Sequence, residues 1–351
     1  MPTGQWPTML DLASRTVQGK QVYIAEMLSQ SIALYDDLPY REANEVGGWE
    51  GVFRTSIPAG SWRGYNQGTP YSKSTTAKFR IGVGELVDYS QVDRTLAEDS
   101  GDIEMFRMNE DAAFLEGMGQ TLEQTCFYGN TLATPQEFMG LSGFYNSLNS
   151  DIATGGAQNG ANVIDAGGTG TSNASLWLLC LGERTIYGIY PRGSKVGLTM
   201  EDKGDVTPAF DAVGNRYEAF TSWFRCQMGL VPEDWRQGAR IANIDVTNAG
   251  LAGPNAYDIF AGMAEMAYFP PALGKKASGI TKTDAPTDAV PSIRPVWIAN
   301  RTIRHWCDVQ AMRGRNVLLQ LPDYAGIVTD TWRGYPFRVS DQLLVTEARV
   351  T

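Results

Sequence analysis

The chain holds one histidine, His305, and that count removes more chemistry than any motif supplies. A serine triad needs a histidine beside its nucleophile. His305 lies between Arg304 and Trp306 on an expected short helix, where a packing or surface role is the expectation. Cys307 follows two residues later, and positions i and i+2 do not share a helix face. HExxH zinc sites and two-histidine iron sites are excluded outright. The four cysteines, Cys126, Cys180, Cys226 and Cys307, are separated by 54, 46 and 81 residues, so no CxxC pair exists. They are expected to be buried and reduced.

Carboxylate pairs are easier to find: Glu98/Asp99, Glu110/Asp111, Asp202/Asp205 and Glu233/Asp234. Such pairs arise by chance in an acidic chain, so they carry a glycosidase reading only weakly. Glu201–Asp205 resembles part of a calcium loop but lacks its spacing and terminal glutamate. No GxxxxGK[ST] loop is present, and Gly82-Val83-Gly84 lacks the third glycine of a dinucleotide fingerprint. The sequons at Asn173 and Asn300 matter only in a secreted chain, and the nine tryptophans are spread out. No catalytic residue, cofactor or metal is expected.

The chain that must position these residues has 351 of them, with 43% hydrophobic, 11% aromatic and a net charge of −10. It can bury a core without staples and has room for roughly two domains. Wholesale disorder is excluded by composition, and coating of nucleic acid is disfavoured by charge. No apolar run approaches the ~20 residues of a membrane span, and no signal peptide is read at the start.

Along the chain, an amphipathic helix is expected within Lys20–Tyr35, in a segment that looks like an arm. Residues 49–93 read as a long two-stranded hairpin by their period-2 alternation, with Trp49, Phe53 and Ile57 in one strand and Phe79, Ile81 and Val83 in the other. Its connection is about twenty residues, a length that suits a segment reaching outward. Residues 102–128 read as one helix of roughly 40 Å. Met108, Ala112, Leu115, Gly119, Leu122 and Cys126 form its stripe, Ser100 or Asp102 its cap, and Gly129 its stop. A Gly/Asn/Ala-rich loop is expected over 146–174, strands at Leu176–Leu181 and Thr185–Tyr190, and a helix near Ala256–Phe269. An exposed loop should cover 271–295 and a helix Thr302–Arg313. Short strands should close the chain at Val317–Leu321, Ile327–Thr329, Tyr335–Val339 and Leu343–Ala348.

The charges are segregated. Arg54, Arg63, Lys73, Lys78 and Arg80 give +5 with no acid among them, whereas Glu85–Glu123 carries eleven acids against two arginines. Either both are solvated faces, or the basic hairpin of one copy lies on acids such as Glu98, Asp99, Glu110 and Glu116 of the next.

The order of parts resembles the major capsid proteins of tailed bacteriophages, with the Hong Kong 97 fold, in a podophage-type branch. Tyr128-Gly129-Asn130 followed by Pro135-Gln136-Glu137-Phe138-Met139-Gly140-Leu141 is similar to the family's exit from its spine helix. Trp297-Ile298-Ala299-Asn300-Arg301-Thr302 resembles the approach to an axial-domain helix, which Gly314 ends. Trp332-Arg333-Gly334-Tyr335-Pro336-Phe337 resembles the turn before the last strands. Thr185–Lys195, Gly214–Tyr217 and Arg240–Asp245 match the podophage-type branch.

The resemblance implies an α+β fold: an N-terminal arm (1–45), an extended E-loop hairpin (46–95), a peripheral (P) domain with the spine helix (96–180), a mainly axial (A) domain (181–320) and returning C-terminal strands (321–351). It implies a virion shell subunit, assembled in the host cytoplasm as hexamers and pentamers around double-stranded DNA. The implied partners are a portal protein, a separate scaffolding protein (no coiled coil precedes the hairpin) and a decoration protein, with no membrane. Lys73 and Lys78 lie in the hairpin, but no asparagine or glutamate matches the family's cross-link, so none is expected. Alternatives are an encapsulin shell of the same fold, a carboxylate-based hydrolase, and another phage part such as a portal.

Overall fold

The structure is a computed structural model. It describes residues 30–151, 157–204, 207–210, 214–247, 257–271, 293–314 and 330–351, with backbone pairs at 16–17, 20–21, 319–320, 323–324 and 327–328. Among the described residues of the arm, Thr16–Val17 pairs with Lys20–Gln21 as a small ladder where a helix was expected. Only α1 (Leu34–Asp37) is helical, and 22–29 lie outside the described residues. The β1 strand (Tyr40–Glu42) then joins the central sheet.

The hairpin is β2 (Gly48–Ser56) with β3 (Thr75–Gly82), in a register that sets Trp49 opposite Ile81 and Phe53 opposite Ala77. It is shorter than the alternation suggested. After Gly82 the chain changes partner, and β4 (Gly84–Asp93) runs antiparallel to a different strand. Period-2 patterning reports a strand but not its neighbour, so two consecutive strands in different sheets read as one.

Two helices follow, α2 (Arg94–Asp99) and the long α3 (Ile103–Tyr128). Asp102 caps α3 by accepting from the Met105 amide at 3.1 Å. The buried face of α3 carries Phe106, Asp111, Met118, Leu122, Glu123, Cys126 and Phe127. The expected stripe is therefore half right: Leu122 and Cys126 are buried, but Met108 is 63% exposed and Leu115 39%. The stripe left out Asp111 and Glu123, which are inside and hydrogen-bonded.

Past α3, the short helix α4 (Leu141–Phe144) packs Leu141 into the core. The segment expected as a loop over 146–174 holds a 3-10 turn (Gln158–Asn162) and a strand (Val163–Asp165), with 152–156 outside the described residues. The core strand is β5 (Asn173–Leu181), buried at every position. Its side chains alternate between two cores. Trp177, Leu179 and Leu181 meet Leu122, Cys126 and Phe127 of α3, while Leu176, Leu178 and Cys180 face the opposite side. A continuous apolar run is what a strand covered on both faces requires.

Beside it lies β6 (Ile186–Tyr190), and β7 (Leu198–Asp202) and β8 (Thr207–Phe210) follow farther out in the sheet. β9 (Arg216–Pro232) spans two regions. Its last four residues pair with β6, and its first stretch pairs with β4, β7 and β8. The result is a sheet that projects from the core with α3 across it, Phe114 stacking on Phe224 at 6.1 Å. β10 (Gly238–Asp245) returns to pair with β5.

Helix α5 (Ile259–Met266) and α6 (Arg301–Gly314) cover the second face, with β11 (Arg294–Ala299) between them in the chain. Residues 272–292, most of the expected exposed loop, lie outside the described residues, and Arg294 and Pro295 already belong to β11. β12 (Thr331–Trp332) and β13 (Tyr335–Val339) form a tight hairpin around Arg333 (φ 54) and Gly334 (φ 79). Two consecutive positive φ values are the two-residue hairpin turn that matches strand twist. Within the described part of the expected last strands, Leu319–Gln320 pairs with β12 and Ile327–Val328 with Asp323–Tyr324. Leu343–Ala348 is not a strand; it makes a single bridge, Glu347 to Asn173. The chain there turns to bring the Glu347 side chain inward instead of pairing along its length.

Candidate functional site

No constellation of reactive groups forms among the described residues. His305 is exposed beside Trp306, with ring centroids 5.4 Å apart. All four cysteines are buried and free. Burial pushes the Cys307 thiol up to about 12 and the Cys226 thiol up to about 11, so neither is a thiolate at neutral pH.

The carboxylate pairs are used in local structure. Asp111 accepts from Ser222 at 2.9 Å, Asp202 from Arg107 at 2.8 Å and Glu233 from Tyr187 at 3.0 Å, while Asp234 takes both arms of Arg236. Asp205 lies outside the described residues. No group of three or more His, Cys, Asp or Glu able to hold a metal occurs among the described residues. No described helix is long and apolar enough to cross a membrane.

What the chain does present is the hairpin. Its root is anchored: Trp49 packs edge-on against Tyr187 at 5.8 Å, and Ile81 is buried with Ile189 and Val231. Beyond Ser56 the chain makes no strand until Thr75, and its large side chains lie in solvent. Trp62 is 105% exposed, Tyr65 100% and Tyr71 107%. Three bare aromatic rings on one loop are a contact surface without a partner in the single chain. Arg54, Lys73 and Lys78 are exposed and have no carboxylate within ion-pair distance among the described residues. Arg63 donates to the Gln67 carbonyl at 3.2 Å, and Arg80 stands 3.8 Å from Glu45.

The expected acids divide. Glu98 is held by Arg94 at 2.8 Å, and Glu116 accepts from the Gln30 amide and the Gln120 side chain at 3.0 and 2.9 Å. Glu110 is half-buried on α3, and Asp99 is exposed on α2. Hairpin and acids make no ion pair with each other within one chain among the described residues.

The motif residues hold the frame. Gly129 ends α3, and the Gly140 amide donates to its carbonyl at 2.8 Å. A Cβ on Gly140 would sit 2.6 Å from the Thr125 carbonyl oxygen, so backbone passes against backbone here. Pro135 lies exposed in the intervening turn, and Leu141 follows into the core. Asn300 caps α6 by accepting from the Thr302 amide at 2.9 Å and donates to the Leu343 carbonyl. Gly314 is the last residue of α6, and Pro336 pairs with Thr331 across the terminal hairpin.

Two buried polar clusters escaped the sequence reading. Glu123, wholly buried on α3, accepts from the Ala33, Leu34 and Tyr35 amides at 3.1, 2.9 and 2.9 Å and from the Ser340 hydroxyl at 2.9 Å. It therefore ties the arm and the C-terminal segment to the spine. Arg240 and Glu347 form a buried pair at 2.8 Å, each side chain 4% exposed. Ser175, Tyr128 and the Tyr145 carbonyl complete that network. A polar residue inside an apolar pattern was the only available signal.

A model of the family described as major capsid protein GP7 matches residues 16–351. No curated protein sequence matches the chain. A chain from the structure of bacteriophage Epsilon15 superposes with a TM-score of 0.72 at 26% identity, covering 99% of this chain and 98% of that one. The capsid of bacteriophage JBD30 gives 0.44 at 11% identity over 85% and 88%. The holo-SrpI encapsulin complex of Synechococcus elongatus PCC 7942 gives 0.37 at 11% identity over 69% and 98%.

Proposed function

The chain belongs to the major capsid protein GP7 family, and from that premise we propose how its subunits join. It is a major capsid protein of tailed phages with the Hong Kong 97-like fold, and it forms the virion shell from capsomers. In our reading the capsomers are hexamers and pentamers around double-stranded DNA, guided by a separate scaffolding protein and joined by a portal protein, and the subunit catalyses nothing.

The hairpin is the lateral clamp. Its aromatic tip leaves one subunit and rests on the spine region of its neighbour, with the basic flank Arg54–Arg80 facing acids around Glu110. The single observation that carries this is the full exposure of Trp62, Tyr65 and Tyr71 on an arm rooted in the core. Aromatic side chains bury about 150–250 Å² each, so covering three of them supplies most of a small contact. The basic residues set register and not strength, since exposed pairs contribute about 0–1 kcal/mol each. Glu98 and Asp99 sit on α2, at the far end of the projecting sheet, and serve a different contact.

Deleting Ser61–Ser74 tests the clamp. The expected product is a folded subunit with unchanged circular dichroism that no longer forms shells by negative-stain electron microscopy. Normal shells from the deleted chain would sink the assignment.

A further inference from the structure

At the root of the hairpin lies a groove of about 680 Å³, lined by Val46, Arg192, Ser194, Lys195, Met200 and Trp223 among others. Two polar atoms in it, Ser194 Oγ and Trp223 Nε1, are shielded from solvent and have no hydrogen-bond partner among the described residues. Burying a donor without an acceptor is unfavourable, so such atoms mark a place where an acceptor belongs. Arg192 and Lys195 are exposed, with no carboxylate in ion-pair distance among the described residues. The other charges at the groove are matched: Arg225 is held by Glu85 at 2.6 Å, and Glu201 by Lys203 at 3.0 Å. Val46 and Met200 add apolar surface, 81% and 51% exposed. The groove thus offers two unmatched cations and an apolar wall, over two shielded polar atoms that lack partners among the described residues. It fits a short acidic turn.

The chain carries one at the other end of the same sheet. Glu98, Asp99, Asp102 and Glu104 fall within seven residues where α2 meets α3. Glu98 is engaged by Arg94, but Asp99 is exposed with no cation in ion-pair distance among the described residues. The ladder fixes the separation. Val87 lies opposite Arg225 beside the groove, and Asp93 lies opposite Ala219 next to α2. They are six residue steps apart along the strand, about 20 Å. Within one chain the turn and the groove do not meet; between two copies they can.

We infer that the groove receives the acidic turn 98–102 of a second copy, with Asp99 set against Arg192 and Lys195. The two patches differ, so the contact is head-to-tail, the kind that closes a ring when successive rotations close. It is separate from the hairpin clamp. Shells that survive deletion of the tip but still need Arg192 and Lys195 would overturn the clamp and leave this inference standing.

The test uses the full chain, expressed beside the phage's other structural proteins. With Val46→Cys on the groove wall and Glu98→Cys beside Asp99 in the same subunit, a short bismaleimide added to assembled particles is expected to give a ladder of covalent dimers and higher species on a denaturing gel. Each single variant should stay monomeric, because the native cysteines are buried. A double variant that cross-links no more than the single ones overturns the inference. Independently, R192E/K195E should cut shell yield about tenfold at low salt, and adding E98K/D99K should restore it. Yield within about twofold of the unsubstituted chain overturns it as well. Where R192E/K195E lowers the melting temperature of the subunit, the cross-linking result decides.

Discussion

Replacing Glu123 with alanine removes the acceptor for four donors at once: the amides of Ala33, Leu34 and Tyr35 and the Ser340 hydroxyl. Hydrogen bonds to a charged group contribute about 1.5–3 kcal/mol each. They do not add, because the arm can shift and let water reach some of the freed amides. A realistic loss is that of about two such bonds, about 3–5 kcal/mol. With an unfolding entropy of about 2.1 cal/mol/K per residue, a chain this long loses roughly 4–7 °C in Tm. Differential scanning calorimetry of the unassembled subunit measures it. Hydrogen exchange gives the location: amides 33–35 should lose protection while those of β5 keep theirs. Glu123→Gln should fall between the two, because its carbonyl still accepts while its NH2 group opposes an amide donor. If Glu123→Ala melts within about 1 °C of the unsubstituted subunit with amides 33–35 still protected, the carboxylate is not the tie between arm and spine.

Reversing Arg54 and Arg63 to glutamate should weaken assembly most at low salt and little at high salt, since exposed charges more than about 10 Å apart are screened at 0.1 M; light scattering across a salt series checks it, and a salt-independent effect refutes the charge register. Gly140→Ala should cost about 1–3 kcal/mol or more, because the added methyl meets backbone on both sides; a denaturant midpoint equal to that of the unsubstituted chain would show that the 129–140 crossing can open freely. The four thiols should resist a thiol reagent at pH 8 until the subunit unfolds, which titration with and without denaturant reads. Because burial raises the Cys307 and Cys226 thiols to about 12 and about 11, the unfolded chain releases those protons first, so their stabilisation is full below pH ~9 and falls by about 1.4 kcal/mol per pH unit per thiol from there up to each folded value.

Much of the frame was legible. The run Leu176–Leu181 announced a strand covered on both faces, and Asp102 to Gly129 bounded the spine within a residue at each end. Gly334 marked a turn that only positive φ allows. What misled was any inference about partners. The alternation over 49–93 did not reveal that the chain leaves one sheet for another at Gly82–Gly84, because the ladder opposite β4 comes from residues more than a hundred positions later. Likewise the helical stripe did not include Asp111 and Glu123, since a pattern of residue types cannot see the hydrogen bonds that make a buried carboxylate tolerable. For the contact surface, the sequence showed the basic arm and the acidic region. Only the folded chain showed which acids are already spoken for, and that the groove beside Trp223 holds donors without acceptors.

The Arg240–Glu347 pair also joins residues 107 positions apart in the chain. Glu347 is held by Tyr128, Ser175 and Arg240, and the neighbouring Val350 is clasped by both ends of the Asn243 side chain at 2.8 and 2.9 Å. Ser31 and Asp341 add a link between arm and tail. Contacts this distant in sequence form late, after the ends of very large loops have been brought together. The Glu123 tie between arm and spine needs only residues up to 123, whereas the ties from Tyr128, Ser175, Arg240 and Asn243 wait for residues 347–350.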